Sequence, residues 1–342
     1  MKHLNVFLSI AVAIALFTSC DRVAGGLIAA SSAANEVLVI IENRDWEEDA
    51  GRAIADVLHS PTRGLPQMYP NFRTIQIAPD HFTRTFRTAR NVVIPNISSI
   101  YSAPALRASL DVHAVGQVIL NINAPDTASF VEFLTTNKQI IVDYLLEKEL
   151  ERNARWLMNR ARSGPLTRAQ EMFGINIFPP RGVPNVNIDT RNFYWASNNA
   201  VRARRDLVIY QFPYTTPDIF QKDSLIAIRN RIMGEHIKGS FDSQMTTSTV
   251  YPPHFRVMTI DGMFRAELRG LWEMTTDFMG GPFVMHAFVN ENTAQVVVVE
   301  VFTFSPEAQT NTRNLIRNME ASLYTISVPR PEGFYFEFTG QN

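Results

Sequence analysis

The chain has 342 residues, of which 46% are hydrophobic and 11% aromatic, and its formal net charge is −1. This composition excludes an intrinsically disordered stalk, and the near-neutral charge gives no electrostatic reason to expect binding to nucleic acid or to a strongly anionic surface. The length suits one large domain or two domains of ordinary size.

The first twenty residues have the features of a bacterial lipoprotein signal peptide. Lys2 and His3 precede an apolar run over residues 6–17. That run is shorter than the roughly 20 residues that a membrane-spanning helix needs. The four residues that end at Cys20 resemble the lipobox, in which small residues precede a cysteine that is lipidated and becomes the first residue of the mature protein.

We therefore predict a cleaved signal peptide over residues 1–19 and acyl chains such as palmitate on Cys20. The mature protein would be held in the cell envelope, at the outer membrane rather than the inner one, with its leaflet left open. Cys20 is the single cysteine of the chain, which excludes an internal disulfide, a second thiol and cysteine-based metal sites. The alternative is an ordinary signal peptide with an incidental cysteine.

The N-terminal part of the mature chain is predicted to hold a tether and a first α+β half. Residues 20–35 are mostly small and lack apolar periodicity, which is typical of a flexible tether. In the long helix predicted at 138–162, Arg152 and Arg155 belong to a charge run that we interpret as a solvated face. The half over residues 36–165 is predicted to contain strands at 37–41, 72–78, 91–97 and 117–122 and helices at 46–59 and 138–162.

The second half, residues 166–342, follows a Pro-rich stretch. A helix is predicted at 217–235 and another at 306–323, the latter with Ser305 as its cap. Strands in adjacent runs joined by short turns indicate an α+β fold with largely antiparallel sheets flanked by helices. Each half ends in a long helix, which suggests two similarly built halves. The strands are predicted at 192–197, 207–212, 255–260, 263–273, 283–289, 294–304 and 333–338.

Standard catalytic and metal-binding motifs are missing from the sequence. No two of its seven histidines have the spacing that would place both on one helix face, and it contains no Gly-rich phosphate loop and no nucleophile elbow. We therefore predict no metal and no cofactor. A glycosidase-type pair of carboxylates needs only two acids brought together by the fold, so the sequence leaves a hydrolase open.

The most informative block runs from residue 263 to residue 283. On a strand, side chains alternate, so that Arg265, Glu267, Arg269 and Glu273 fall on one face and Trp272 falls on the other. One interpretation is a charged outer face with cross-strand ion pairs, and the other is a polar cleft that faces a ligand, with a Gly-Gly pair exposing backbone amides. The candidate ligand-facing residues are Arg265, Glu267, Arg269, Trp272, Glu273, Gly280, Gly281 and His286.

The same block resembles a family of uncharacterised Bacteroidetes lipoproteins built around a domain of unknown function. The resemblance rests on Arg-Gly-Leu-Trp-Glu at 269–273 and Phe-Met-Gly-Gly-Pro-Phe at 278–283, and Leu-Pro-Gln at 65–67 supports it. It spans nearly the whole mature chain. It implies a location in the envelope and brings no assigned reaction or catalytic residue.

These observations predict an envelope lipoprotein that binds or scaffolds another envelope component through its second half. The lipid provides the membrane contact, and nucleic acid is not an expected partner. One alternative is a hydrolase of envelope glycan or peptide that acts through Glu267, Glu273 or other carboxylates. Another is a glycan-binding lipoprotein that uses Tyr194, Trp195 and Trp272.

Overall fold

The structure is a computed structural model that describes residues 26–161, 164–306 and 311–329. The predicted signal peptide, the lipidation site Cys20, the first part of the tether and the predicted strand at 333–338 lie outside these residues. Within them, the α+β fold class predicted from the sequence is confirmed.

The N-terminal sheet contains five strands in the order β2-β1-β3-β5-β4. Only the pair β4–β5 is antiparallel, and the other neighbours are parallel. All five residues of β1 are buried, as expected for a central parallel strand that is covered on both faces. The strands are β1 (Glu36–Ile40), β2 (Arg73–Ile77), β3 (Asn91–Ile97), β4 (Ala105–Leu110) and β5 (Val118–Ala124).

Three helices accompany this sheet. The segment predicted as one helix at 46–59 forms α1 (Asn43–Glu47) and α2 (Asp49–Leu58). The long helix α3 (Thr127–Arg160) begins well before the predicted residue 138, because the Asp126 side chain accepts a hydrogen bond from the backbone N–H of Ser129 at 2.8 Å and caps it. The polar residues between 135 and 139 interrupt the apolar stripe and conceal its first turns in the sequence.

The C-terminal sheet follows the order β10-β11-β12-β13-β8-β7-β6, with all neighbours antiparallel, and the short β9 pairs with β11. The suggestion of two similarly built halves does not extend to the sheets, because the first sheet is mainly parallel. The strands are β6 (Asn185–Thr190), β7 (Phe193–Ser197), β8 (Arg204–Pro213), β9 (Met245–Thr247), β10 (His254–Ile260), β11 (Met263–Met274), β12 (Gly280–Asn290) and β13 (Gln295–Phe304).

Helices cover both faces of the C-terminal sheet. α4 (Thr167–Phe173), the end of α3 and the segment 321–326 pack on one face, and α5 (Lys222–His236) packs on the other. The last helix, α6 (Thr312–Glu320), begins later than predicted because Asn311, not Ser305, provides its cap: the Asn311 side chain accepts from the Asn314 N–H at 3.0 Å.

Helix α3 belongs to both hydrophobic cores. Leu134 and Leu145 pack in the core of the N-terminal sheet, and Leu150 and Ala154 pack in the core of the C-terminal sheet. With 34 residues, the helix is about 50 Å long, which is enough to reach across both halves.

Candidate functional site

The charged side chains of β11 lie next to side chains of the neighbouring strands β10 and β12, and most of this group is buried. Glu267 is directly opposite Arg256 on β10 and His286 on β12, so these three side chains share one face of the sheet. Glu267, His286 and Arg265 are each 0% exposed. The predicted charged face is therefore turned into the protein and is not in contact with solvent.

The Glu267 carboxylate is held by two guanidinium groups at once. Arg256 donates from Nε at 3.0 Å and from Nη2 at 2.9 Å, and Arg269 donates from Nε at 2.8 Å and from Nη2 at 2.9 Å. Burial alone would raise the pKa of Glu267, but Arg269, the neighbouring His286 and Arg256 outweigh it and hold that pKa well below its usual value. Glu267 is thus a carboxylate that is charged at neutral pH and already accepts four guanidinium hydrogen bonds.

The same face of β11 fixes the C-terminal segment of the chain. Arg269 also donates to the Glu320 carboxylate on α6, and Arg265 donates to the backbone carbonyls of Leu323 and Ile326. The space between these groups and α3 is a cavity of about 30 Å³, which has room for about two water molecules. The arrangement is suited to joining elements, because no substrate could enter a space of this size.

His254 lies beside this cluster, on β10 opposite Arg269. Burial, followed by the positive charges of Arg63 and Arg269, lowers its pKa to about 4. Burial likewise lowers the pKa of His286. Both imidazoles are therefore neutral at pH 7, so the positive charge of the cluster comes from its arginines.

The other four predicted ligand-facing residues lie at the far end of β11. Trp272 is 3% exposed, and its indole N–H donates to the carbonyl of Thr303 at 3.1 Å. A Cβ atom on Gly281 would lie 2.1 Å from that same carbonyl oxygen, so glycine is required for the close approach of β12 to β13. Gly280 and Glu273 are paired across the strands, next to a surface cleft of 310 Å³.

The eight residues therefore form two separate groups. Arg265, Glu267, Arg269 and His286 share the inward-turned face of the sheet. Trp272, Glu273, Gly280 and Gly281 meet at the strand ends. Glu267 and Glu273 are six residue steps apart on an extended strand, a distance of about 20 Å. A glycosidase needs its two carboxyl groups within about 10 Å. These two acids cannot act as such a pair.

A larger cleft, which the sequence analysis did not predict, lies where the end of α3 meets both halves of the chain. Its volume is about 600 Å³. We call it the arginine cleft after Arg90, Arg152, Arg155, Arg181 and Arg205, which line it together with Trp156. None of the described residues that line it carries a carboxylate. The sequence did not reveal this group because these arginines come from four segments that are far apart in the sequence.

Two of these arginines, Arg90 and Arg152, lie next to a buried carboxylate at the base of the cleft. Glu149 is 2% exposed, and its carboxylate oxygens lie 2.7 Å from Arg152 Nη1 and 3.6 Å from Arg90 Nη1. Arg152 Nε also donates to the carbonyl of Gly116 at 2.6 Å. Burial, opposed by Glu149 and reinforced by Arg90, lowers the pKa of Arg152. One buried carboxylate therefore faces two guanidinium groups at the base of the cleft.

The rim of the cleft is more accessible. Arg155 and Arg181 are exposed, and neither forms an ion pair with a carboxylate in the described part of the chain. The Trp156 ring is 40% exposed, with the guanidinium carbons of Arg160 and Arg181 at 5.2 and 5.8 Å from its centroid. The solvated-face interpretation of the α3 charge run is correct for Arg155, which is exposed, and wrong for Arg152, whose side chain is only 12% exposed.

Comparison with known proteins gives a family description for each half. Residues 30–157 match the family model DUF8532, and residues 164–325 match the family model DUF4837. Both are domains of unknown function. The resemblance noted in the sequence is thus confirmed at this level, with two domains of unknown function in place of one. No curated protein matches the chain significantly.

Solved structures that match include a mutant of the protein Mog1 and the Saccharomyces cerevisiae Ran-binding protein Mog1p. Both are 8% identical and cover 45% of this chain and 90% of their own, with TM-scores of 0.28 and 0.27. Scores of this size do not establish a common fold. Separately, none of the helices within the described ranges is both long enough and apolar enough to cross a bilayer.

The arrangement also bears on metal chemistry and on glycan binding. Among residues 26–161, 164–306 and 311–329, no three acidic, histidine or cysteine side chains are grouped so that they could hold a metal ion. Tyr194 and Trp272 are each 3% exposed, and the Trp195 indole N–H donates to Asp206 at 2.9 Å. Tyr194 and Trp272 are therefore unavailable as a stacking surface for a sugar.

Proposed function

We propose that this chain is a lipoprotein of the bacterial cell envelope, anchored by acyl chains on Cys20, that binds an anionic ligand in the arginine cleft. The lipobox-like segment and the Bacteroidetes lipoprotein resemblance support the anchor and a place at the outer membrane. The observation that carries the binding role is a cleft lined by five arginines with no carboxylate on its described walls.

The size and chemistry of the cleft suit a ligand. At about 600 Å³ it lies within the range of small-molecule sites, which run from about 300 to 1,000 Å³. Guanidinium groups match phosphate and carboxylate geometry and bind them through paired, charge-assisted hydrogen bonds. Trp156 at the rim adds an apolar surface next to the charges, so the cleft favours a ligand with an anionic group and an apolar part.

The hydrolase alternative fits the structure less well. The Glu267 carboxylate already accepts four guanidinium hydrogen bonds, and its lowered pKa makes it a poor general acid. The cavity beside it is too small for a substrate. We therefore propose binding without catalysis, and the bound component is one that carries phosphate or carboxylate groups.

Binding of glycerol 3-phosphate, with glycerol as the neutral comparison, tests the arginine cleft. Titration calorimetry should detect glycerol 3-phosphate and not glycerol. The double variant Arg155→Gln and Arg181→Gln should weaken binding by about tenfold or more, since each exposed guanidinium contributes on the order of 1 kcal/mol to holding a phosphate.

The matched control removes two exposed arginines elsewhere, Arg44→Gln on α1 and Arg231→Gln on α5, and should bind as the parent does. Equal affinity for glycerol and glycerol 3-phosphate, or unchanged affinity in the cleft variant, would refute the anion-binding role.

Acylation of Cys20 tests the anchor independently. Cells that express the chain and are fed labelled palmitate should incorporate the label into the parent protein, and the protein should fractionate with membranes. The variant Cys20→Ser should carry no label and appear in the soluble fraction, because one serine cannot accept the acyl chains. Label that persists in Cys20→Ser would contradict the proposed anchor.

A further inference from the structure

The first described residues of the chain lie at the mouth of the arginine cleft. The Ala30 N–H donates to the Val115 carbonyl at 2.9 Å, and the Val115 N–H donates to the Ile28 carbonyl at 2.9 Å. The Ser31 N–H donates to the Thr88 carbonyl at 2.8 Å. Ala29 and Ala30 themselves line the cleft. This part of the predicted tether is thus fixed by backbone hydrogen bonds and is not a free linker.

The distance from this point to the proposed anchor is short. Only eight residue steps separate Cys20 from Ile28, and a fully extended chain covers at most about 3.6 Å for each step. Acyl chains on Cys20 would therefore keep the mouth of the cleft within about 30 Å of the bilayer surface. With the proposed anchor, this short connection would keep the cleft close to the membrane.

Aliphatic side chains are exposed around the same point. Ile28 is 64% exposed, Leu27 39%, Leu110 53%, Val112 45% and Val115 40%. These five residues, which we call the apolar patch, lie on the first described residues, at the last residue of β4 and on the turn that follows it. That turn is closed by a hydrogen bond from the Asp111 N–H to the Gln117 carbonyl at 3.0 Å. Such a group of exposed aliphatic residues marks an interaction surface.

Positive charge and an aromatic ring adjoin the apolar patch, because Val115 lines the arginine cleft together with Arg90, Arg152 and Trp156. Apolar residues, arginines and a tryptophan on one side of a protein are the combination that binds the interface of an anionic membrane. The formal net charge of −1 does not indicate this local positive charge, because it is the sum over the whole chain.

We infer that the apolar patch and the arginine cleft together dock onto the bilayer that carries the anchor, with the phosphate of a negatively charged phospholipid in the cleft. This inference rests on the proposed anion binding and identifies the bound anion as a lipid phosphate. The apolar side chains enter the headgroup region, and the arginines contact lipid phosphates. The lipid anchor and the docking surface then act on the same membrane and fix the orientation of the protein.

Vesicle binding of the mature chain without its lipid tests this inference. The protein is residues 20–342 with Cys20→Ser, and the vesicles contain phosphatidylcholine alone or with about a third phosphatidylglycerol. Sedimentation should show binding to the phosphatidylglycerol vesicles and little binding to phosphatidylcholine. The double variant Ile28→Ser and Val112→Ser should lose about tenfold in vesicle affinity because it removes two partly exposed aliphatic side chains from the lipid interface.

The control replaces two valines that are at least half exposed and lie away from the patch, Val250→Ser (72% exposed) and Val257→Ser (57% exposed), and should bind vesicles as the parent does. The variant Arg155→Gln and Arg181→Gln should lose at least as much vesicle affinity as the patch variant. Equal binding to both vesicle types, or full binding by the patch variant, would overturn membrane docking. A protein that binds glycerol 3-phosphate but does not bind the vesicles would also overturn membrane docking. That result would leave the proposed anion-binding role of the cleft intact.

Discussion

Replacing Glu267 by glutamine should destabilise the protein by about 3–5 kcal/mol, the usual cost of removing one partner from a buried ion pair. The change keeps the shape of the side chain and removes the charge that two guanidinium groups share. Arg256 would lose its carboxylate partner, and Arg269 would retain only Glu320. Urea unfolding followed by circular dichroism measures the difference in free energy.

Glu273→Gln provides the matched control on the same strand. Glu273 is partly exposed, so its replacement should cost less than about 1 kcal/mol. A Glu267→Gln protein as stable as this control would mean that the buried cluster contributes nothing to the fold.

The same pair of proteins has a defined pH dependence. The pKa of Glu267 in the folded protein lies below its usual value, so its stabilising contribution is present above pH 4.5 and is lost as the pH falls through the folded pKa. Glutamine does not titrate. The stability difference between parent and Glu267→Gln should therefore be constant above about pH 5 and shrink in more acidic solution.

Replacing Glu300 by glutamine should have an effect of similar size on the opposite face of the sheet. Glu300 and Arg229 are both 0% exposed, and Arg229 donates to the carboxylate from Nε at 2.8 Å and from Nη2 at 2.7 Å. Without that carboxylate a buried guanidinium is left beside the Phe283 ring, and we expect a loss of about 3–5 kcal/mol in urea unfolding.

The double variant Arg229→Met and Glu300→Leu separates charge from packing. Because it removes both charges and fills the space with apolar side chains, it should recover stability to within about 1 kcal/mol of the parent. A double variant as unstable as Glu300→Gln would show that the pair is needed for its shape or for the hydrogen bond from Arg229 to Thr247 at 2.9 Å, and not for neutralising a charge.

The sequence predicted most of the described strands, since alternating or continuous apolar runs have a direct physical cause. It missed β4 and β6, which are mostly exposed strands at the edges of the sheets, and the three-residue β9. Strand β3 lies at the predicted residues 91–97, and β11 extends only one residue beyond the prediction. Helix beginnings were less predictable. Those of α3 and α6 depend on the caps Asp126 and Asn311, and such caps act through single side-chain hydrogen bonds that leave little periodic signal.

The candidate site was harder to predict than the fold. Alternation on β11 correctly grouped Arg265, Glu267 and Arg269, but it gave no information on whether that face meets solvent or protein. The arginine cleft combines residues as far apart as Arg90 and Arg205. Only the packing of α3 between the two halves brings those residues together, and one sequence without relatives carries no sign of that packing.

Helix α3 also determines how the two domains of unknown function depend on each other. The match to the first domain ends at residue 157, inside this helix, and the second begins at residue 164. Leu150 and Ala154 nevertheless lie in the core of the second sheet. The second domain expressed alone would lack these two side chains, and its core would be open to solvent. A protein in which one domain is exchanged would have to keep the α3 residues that pack against the other domain. The two domains are therefore interdependent, because each needs part of the same helix to complete its core.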